Sequence, residues 1–276
     1  MKRLTRLESS GPGTRAVDKG IVVLLISAAA VGVLYFLAQA DESFLYLLSN
    51  GLPPLLAFAA FIAATAGLLR SGVSVKNRLS IAWVGYAFGM LLWLLGESTW
   101  AVYSLWYSVP IPYPSPADVF WLAGYVPLMC ATVMMGWPFR DFFSSRRMLT
   151  VILAVFVLAG VLLVALIPPA YTSAMGQDLA TIVVGLSYPM LDVVLLFVSL
   201  PIVFLFGRGT FWRPFLFVTV GLILTFVGDV LFNWATLSGV YYDGSYLELF
   251  FHWSYLTLAY GFYLRFRRGT GTNILG

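Results

Sequence analysis

The 276 residues are 61% hydrophobic and 10% charged, with a mean hydropathy of +0.90. A soluble domain carries about 25% charged residues, so a water-soluble fold of this composition lacks the polar surface to cover itself, and the chain belongs to the membrane class. The single cysteine, Cys130, excludes an intrachain disulfide framework and a thiolate cluster for zinc or iron–sulfur, and the net charge of +4 points to topology rather than to nucleic acid once its placement is followed.

A membrane-crossing helix needs about 20 mostly apolar residues. In chain order a basic segment, 1–19, is followed by apolar runs at 20–38, 52–69, 80–104, 118–136, 149–167, 179–206, 212–237 and 246–264. Gly51, Pro53 and Pro54 open the second run, Pro110, Pro112, Pro114 and Pro116 precede the fourth, and Pro168 and Pro169 follow the fifth. The runs are continuous rather than alternating, which excludes a transmembrane β-barrel. The predicted fold is therefore all-α: a polytopic membrane bundle of eight transmembrane helices filling 20–265, with a short tail at 266–276. All sixteen Lys and Arg fall on one side of this arrangement. They lie before the first span, between spans two and three, four and five, and six and seven, and after the eighth. The opposite loops carry Asp41, Glu42, Asp178 and Asp243. Basic residues mark the cytoplasmic face, so both termini are expected there, in the plasma membrane. Ala38-Gln39-Ala40 has the form of a signal-peptidase site, but the apolar run before it exceeds that of a signal peptide, and the first span is expected to stay as an anchor.

Helix pairs carry a suggestion of repetition. Gly96-Glu97 followed by Trp100 is echoed by Gly228-Asp229 and Trp234; Asp118 with Tyr125 is echoed by Glu248 with Tyr255; and Pro201 follows Asp192 as Pro127 follows Asp118.

Ionisable groups within the hydrocarbon region are costly, face the protein interior and are functional by default. The spans hold Glu97, Asp192, Asp229, Glu248 and His252, with Asp118 at an entrance and no basic residue to neutralise them. All but Asp192 fall in the outer half of their helices. Structural alternatives stand beside a ligand-binding role. Ser115-Pro116-Ala117-Asp118 fits a capping box. Asp192 follows the Pro189 kink and can bond a freed backbone group. Glu97 and Asp229 can bond Trp or Tyr across helices, and Gly85 and Gly89 form a close-packing pair. Glu248 and His252, one turn apart, share a face and can pass a proton or simply bond each other. A lone histidine does not make a zinc or haem site, and no metal or cofactor is expected. Trp100, Tyr125 and other aromatics are dense near these acids; most belong to the interfacial belt, and those facing inward can cage an organic cation. The spans have no lysine for a retinal Schiff base, and the chain has no Gly-x-Ser-x-Gly, Walker or His-Glu-x-x-His motif.

Gly96-Glu97, the string Tyr113-Pro114-Ser115-Pro116-Ala117-Asp118 through Tyr125, Tyr188-Pro189-Met190-Leu191-Asp192, and Gly228-Asp229 with Tyr241-Tyr242-Asp243-Gly244-Ser245 resemble the PSxAD-type multi-span module. That module stands at the N-terminus of many bacterial and archaeal diguanylate cyclases and sensor histidine kinases. The resemblance covers roughly 20–265 and implies a prokaryotic sensory or scaffolding role in signal transduction, with Glu97, Asp118, Asp192 and Asp229 as matched positions. No cyclase, kinase or PAS domain follows Arg268, so the resemblance leaves two expectations, a separate cytoplasmic effector as partner or a stand-alone relative with another role. A narrower likeness, Gly228-Asp229-Val230-Leu231 with Phe251-His252 and Tyr255, is similar to lysoplasmalogenase-type membrane hydrolases.

Three readings follow. The first is a non-enzymatic module that recognises a small or lipidic ligand in its extracytoplasmic half through Glu97, Trp100, Asp118, Tyr125, Asp192, Asp229, Glu248 and His252. The second is an intramembrane hydrolase using Asp229 and Glu97 with His252 nearby. The third is a proton- or cation-coupled carrier. The lipid bilayer is the expected partner in all three, and no nucleic acid is.

Overall fold

The computed structural model describes residues 18–71, 78–107, 112–137, 179–206 and 212–268, with scattered residues between 146 and 161. Those residues form helices α1 (Lys19–Ala38), α2 (Glu42–Ser71), α3 (Arg78–Ala101), α4 (Pro116–Gly136), α5 (Leu179–Phe206), α6 (Trp212–Leu237) and α7 (Leu249–Arg268), and no strand is found among them. A π-helical turn, Val102–Tyr107, extends α3, and a 3-10 turn, Tyr246–Glu248, leads into α7.

Among the described residues six helices are long and apolar enough to cross a membrane: α1, α2, α3 with its extension, α4, α5 and α6. The expected fifth span falls largely outside the described residues. Its described members at 149–161 are helical, and Phe156 meets Phe197 of α5 edge-on at 5.0 Å. The expected eighth span is α7, whose His252, Ser254, Thr257 and terminal arginines make it less apolar than the six.

The second span departs most from expectation. Pro53 and Pro54 do not open α2 but lie inside it, because the helix starts at Glu42. Asp41 starts it, accepting the N–H groups of Ser43 and Phe44 at 3.0 and 3.1 Å. The two prolines then remove donors from the ladder a third of the way along.

Lipid is the solvent that these helices require. On α1 the face Val31, Tyr35 and Ala38 is buried, while Val23, Leu25, Ile26 and Phe36 remain 62–68% exposed. That surface is stable against acyl chains and aggregates in water.

Helices α2, α3, α4, α5, α6 and α7 form a ring in which each packs on the next and α7 returns to α2; α1 lies outside, against α7 and α2. Two antiparallel hairpins dominate the ring. In α3–α4 a Cβ added at Gly89 would meet Leu128 at 2.6 Å, and one at Gly96 would meet Trp121 at 2.5 Å. In α6–α7 a Cβ added at Gly221 would meet Leu258 at 2.6 Å, and one at Gly228 would meet Phe251 at 2.7 Å. Glycine lets the backbones approach, as small residues do wherever helices pack in lipid.

Six of the described cations collect at one end of the ring: Lys19, Arg78 and Arg213 at helix starts, Arg70, Arg265 and Arg267 at helix ends. There Arg213 meets Asp18 at 3.4 Å, Arg70 lies over Phe266 and Arg265 over Trp83.

Candidate functional site

At the opposite end the starts of α2, α4, α5 and α7 meet the ends of α3 and α6 around a cavity of about 140 Å³. An apolar cavity of about 150 Å³ holds a benzene-sized molecule. Of the residues singled out from sequence, Glu97, Trp100, Asp118, Tyr125, Asp229, Glu248 and His252 line it. Asp192 stands one bond behind: Tyr125 Oη donates to Asp192 Oδ1 at 2.8 Å and lies 3.2 Å from Asp229 Oδ2. The one Tyr125 hydroxyl thus stands between the two aspartates, whereas Asp192 Oδ2 is buried with no donor among the described residues.

Each remaining acid is held differently. Asp118 is a helix starter: its Oδ2 accepts the Ser115 N–H at 2.6 Å and the Ser115 hydroxyl at 2.9 Å, and its Oδ1 accepts Tyr188 Oη at 2.6 Å. Glu248 is saturated. Its Oε1 accepts Tyr241 Oη at 2.8 Å and the Gly244 N–H at 2.9 Å, and its Oε2 accepts Ser49 Oγ at 2.7 Å and Tyr35 Oη at 2.9 Å. Glu97 accepts Tyr255 Oη at 2.7 Å, with the Trp121 indole beside it.

Glu248 and His252 share a face but meet through a third residue. His252 Nδ1 lies 2.6 Å from the Glu248 carbonyl oxygen, an acceptor only, so Nδ1 carries a proton. His252 Nε2 then faces Tyr35 Oη at 3.2 Å, and the one Tyr35 proton stands between imidazole and carboxylate.

In the loops that cap this end, burial and then the Glu248 carboxylate push the Tyr241 phenol well up. Burial and then Asp118 do the same for Tyr113. Both keep their protons and line the cavity, Tyr241 with its proton committed to Glu248.

The two hairpins supply equivalent groups. Gly89, Gly96 and Glu97 on α3 match Gly221, Gly228 and Asp229 on α6 at the same spacing, and Asp118, Trp121, Tyr125 and Leu128 on α4 match Glu248, at the end of the 3-10 turn, and Phe251, Tyr255 and Leu258 on α7. The tyrosines are exchanged: Tyr125 of the first hairpin reaches Asp229 of the second, and Tyr255 of the second reaches Glu97 of the first. In this register Trp100 corresponds to Phe232, which also lines the cavity, and not to Trp234, which is 45% exposed. No residue of α5 plays for α4 the part that the spacing of Pro201 from Asp192 suggests; Asp192 belongs with Asp229.

Sequence reading missed Tyr35, Ser49, Thr225 and Ser254. Thr225 Oγ1 and Ser254 Oγ are 2.7 Å apart on the cavity wall, where the first hairpin has Trp93 against Gly124. Extending the repeat register along both hairpins would have found that pair; nothing local marks Tyr35. Among the described residues no three His, Cys, Asp or Glu side chains are placed to hold a metal ion. Compared with family models, curated proteins and solved structures, the chain matches none.

Proposed function

We propose that this chain is an eight-span module of the plasma membrane, with both termini in the cytoplasm, that binds a small or lipidic ligand in its extracytoplasmic half and acts through a separate effector protein. The observation that carries this reading is the convergence of Glu97, Asp118, Asp229, Glu248 and His252 on one cavity, at the end of the bundle remote from the arginines. The single-sided distribution of all sixteen Lys and Arg supports the orientation, and the PSxAD-type resemblance supports a signalling output. Native mass spectrometry of protein released from its membrane tests the module. Wild type carries a small-molecule adduct, and Thr225→Phe, which fills the cavity, loses it. Bare protein in both, with no ligand-dependent melting shift across a library of headgroups, amines and small acids, would overturn the reading.

A second reading is favoured by one feature, the Tyr125 hydroxyl that brings Asp192 and Asp229 to one point. Two carboxyl groups that share a site can divide the acid and base roles of a hydrolase. Turnover of lysoplasmalogen by the purified chain, lost in Asp229→Asn, would replace the first reading with this one.

A further inference from the structure

The cavity wall is asymmetric in charge. Its lining includes Glu97, Asp118, Asp229 and Glu248 and neither lysine nor arginine. Two of these acids are occupied: Asp118 has three donors and Glu248 has four. Glu97 takes Tyr255 and has the Trp121 indole beside it, and Asp229 shares the one Tyr125 hydroxyl with Asp192, although a carboxylate offers about four acceptor positions. Behind Asp229 lies the Asp192 oxygen that has no donor, on a side chain only 2% exposed.

The rest of the wall is largely aromatic: Trp93, Trp100, Trp121, Phe232 and Phe251. An anion would meet carboxylates and the negative faces of the rings. An apolar molecule would leave the carboxylates unpaired. A metal ion wants several oxygen ligands at once, and among the described residues no three acidic or histidine side chains are placed to supply them. An alkylammonium group satisfies both parts of the wall at once, since acids and ring faces each attract it.

We infer that the cavity takes a compact organic ammonium ion, of five to seven heavy atoms to judge from its roughly benzene-like volume, paired with Glu97 and Asp229 and with its carbons against the aromatic side chains. This rests on the ligand-binding reading above and narrows it to a chemical class. The two acids are equivalent members of the two hairpins, so neither alone defines the site.

Calorimetric titration of the full chain in detergent micelles tests the inference with two matched pairs. These are choline against 3,3-dimethylbutan-1-ol, which replaces the cationic nitrogen by carbon, and n-butylamine against butan-1-ol. At least one cation binds, and its uncharged counterpart binds about tenfold more weakly or not at all. Glu97→Gln and Asp229→Asn each weaken the cation about tenfold without weakening the alcohol. Should either acid variant fail to fold, Trp100→Leu removes a ring face from the wall and gives the same selective loss. Alcohols that bind as tightly as the cations overturn the ammonium assignment and leave the ligand-binding module standing. Neither cation binding, while the mass-spectrometric adduct persists, overturns it equally. Neither binding and no adduct remove both.

Discussion

The α3–α4 and α6–α7 hairpins close in the same way and are finished differently. Each uses two glycines seven residues apart to admit a leucine and an aromatic ring from its partner helix, and each carries an acid directly after the second glycine. Each lends its tyrosine to the acid of the other. The difference lies at the helix starts. Asp118 is satisfied by its own cap and by Tyr188 of α5, whereas Glu248 gathers donors from α1, α2 and the α6–α7 connection. One acid thus closes a local turn, and its counterpart ties three separate segments together at the outer end of the bundle.

The largest effect should come from breaking that tie. Glu248→Leu strands buried donors from Tyr35, Ser49, Tyr241 and Gly244 and should cost about 3 kcal/mol or more, since each buried donor left unpaired costs about 1–3 kcal/mol. Asp118→Leu should cost less, because Ser115 is at a helix start and its donors can find other partners. Thermal denaturation of both variants in detergent gives the order. Equal losses would mean that Glu248 is no more than a helix starter too.

Next come the glycine contacts. Gly89→Val and Gly221→Val push a branched side chain onto Leu128 and Leu258, and each should destabilise by about 1–3 kcal/mol. The equivalence of the hairpins predicts matching rescues: Leu128→Ala relieves only Gly89→Val, and Leu258→Ala relieves only Gly221→Val. Coupling energies from the two double-mutant cycles should agree. Rescue in one hairpin alone would break the comparison.

The exchanged tyrosines come third. Tyr255→Phe removes one bond, to Glu97, and should cost about 1 kcal/mol. Tyr125→Phe unpairs Asp192 and Asp229 together and should cost up to twice that, by the same per-bond figure. Melting temperatures of the two variants in one detergent decide it, and Asp192→Asn in the Tyr125→Phe background shows how much of the excess belongs to Asp192.

These sites differ in how legible they were. Helix positions followed from apolar run length alone: α5 and α6 occupy the predicted 179–206 and 212–237. The start of α2 did not, because Pro53 and Pro54 have the form of a helix entrance. Only the cap at Asp41 and the packing of α2 on α7 carry the helix through them. The acids were legible because charge is rare in an apolar run, and their shared depth anticipated a common cavity. Their partners were not. Tyr35 is one aromatic in an apolar run, and its bond to Glu248 spans most of the chain. Hydroxyl donors such as Ser49 and Ser254 are ordinary in membrane helices, where they usually bond their own backbone. What distinguishes them is the neighbour that the ring of helices brings, and a sequence carries that only through the repeat.

The most local effect lies in the connections between paired helices. The α3–α4 connection begins with a π-helical turn, while the α6–α7 connection turns at Gly239, whose φ is +66°. A Cβ there meets nothing within 4 Å, so backbone conformation alone sets the result. Gly239→Ala should cost about 1–2 kcal/mol, the penalty for holding an L-residue in the left-handed region. Gly239→Asn should cost less, because a short polar side chain tolerates that region. Melting curves that place Ala below Asn and Asn at or below Gly give the turn a conformational role. Ala equal to Gly would mean that the connection relaxes freely, and that the α6–α7 hairpin is held by the contacts along its helices and by Glu248 rather than by its turn.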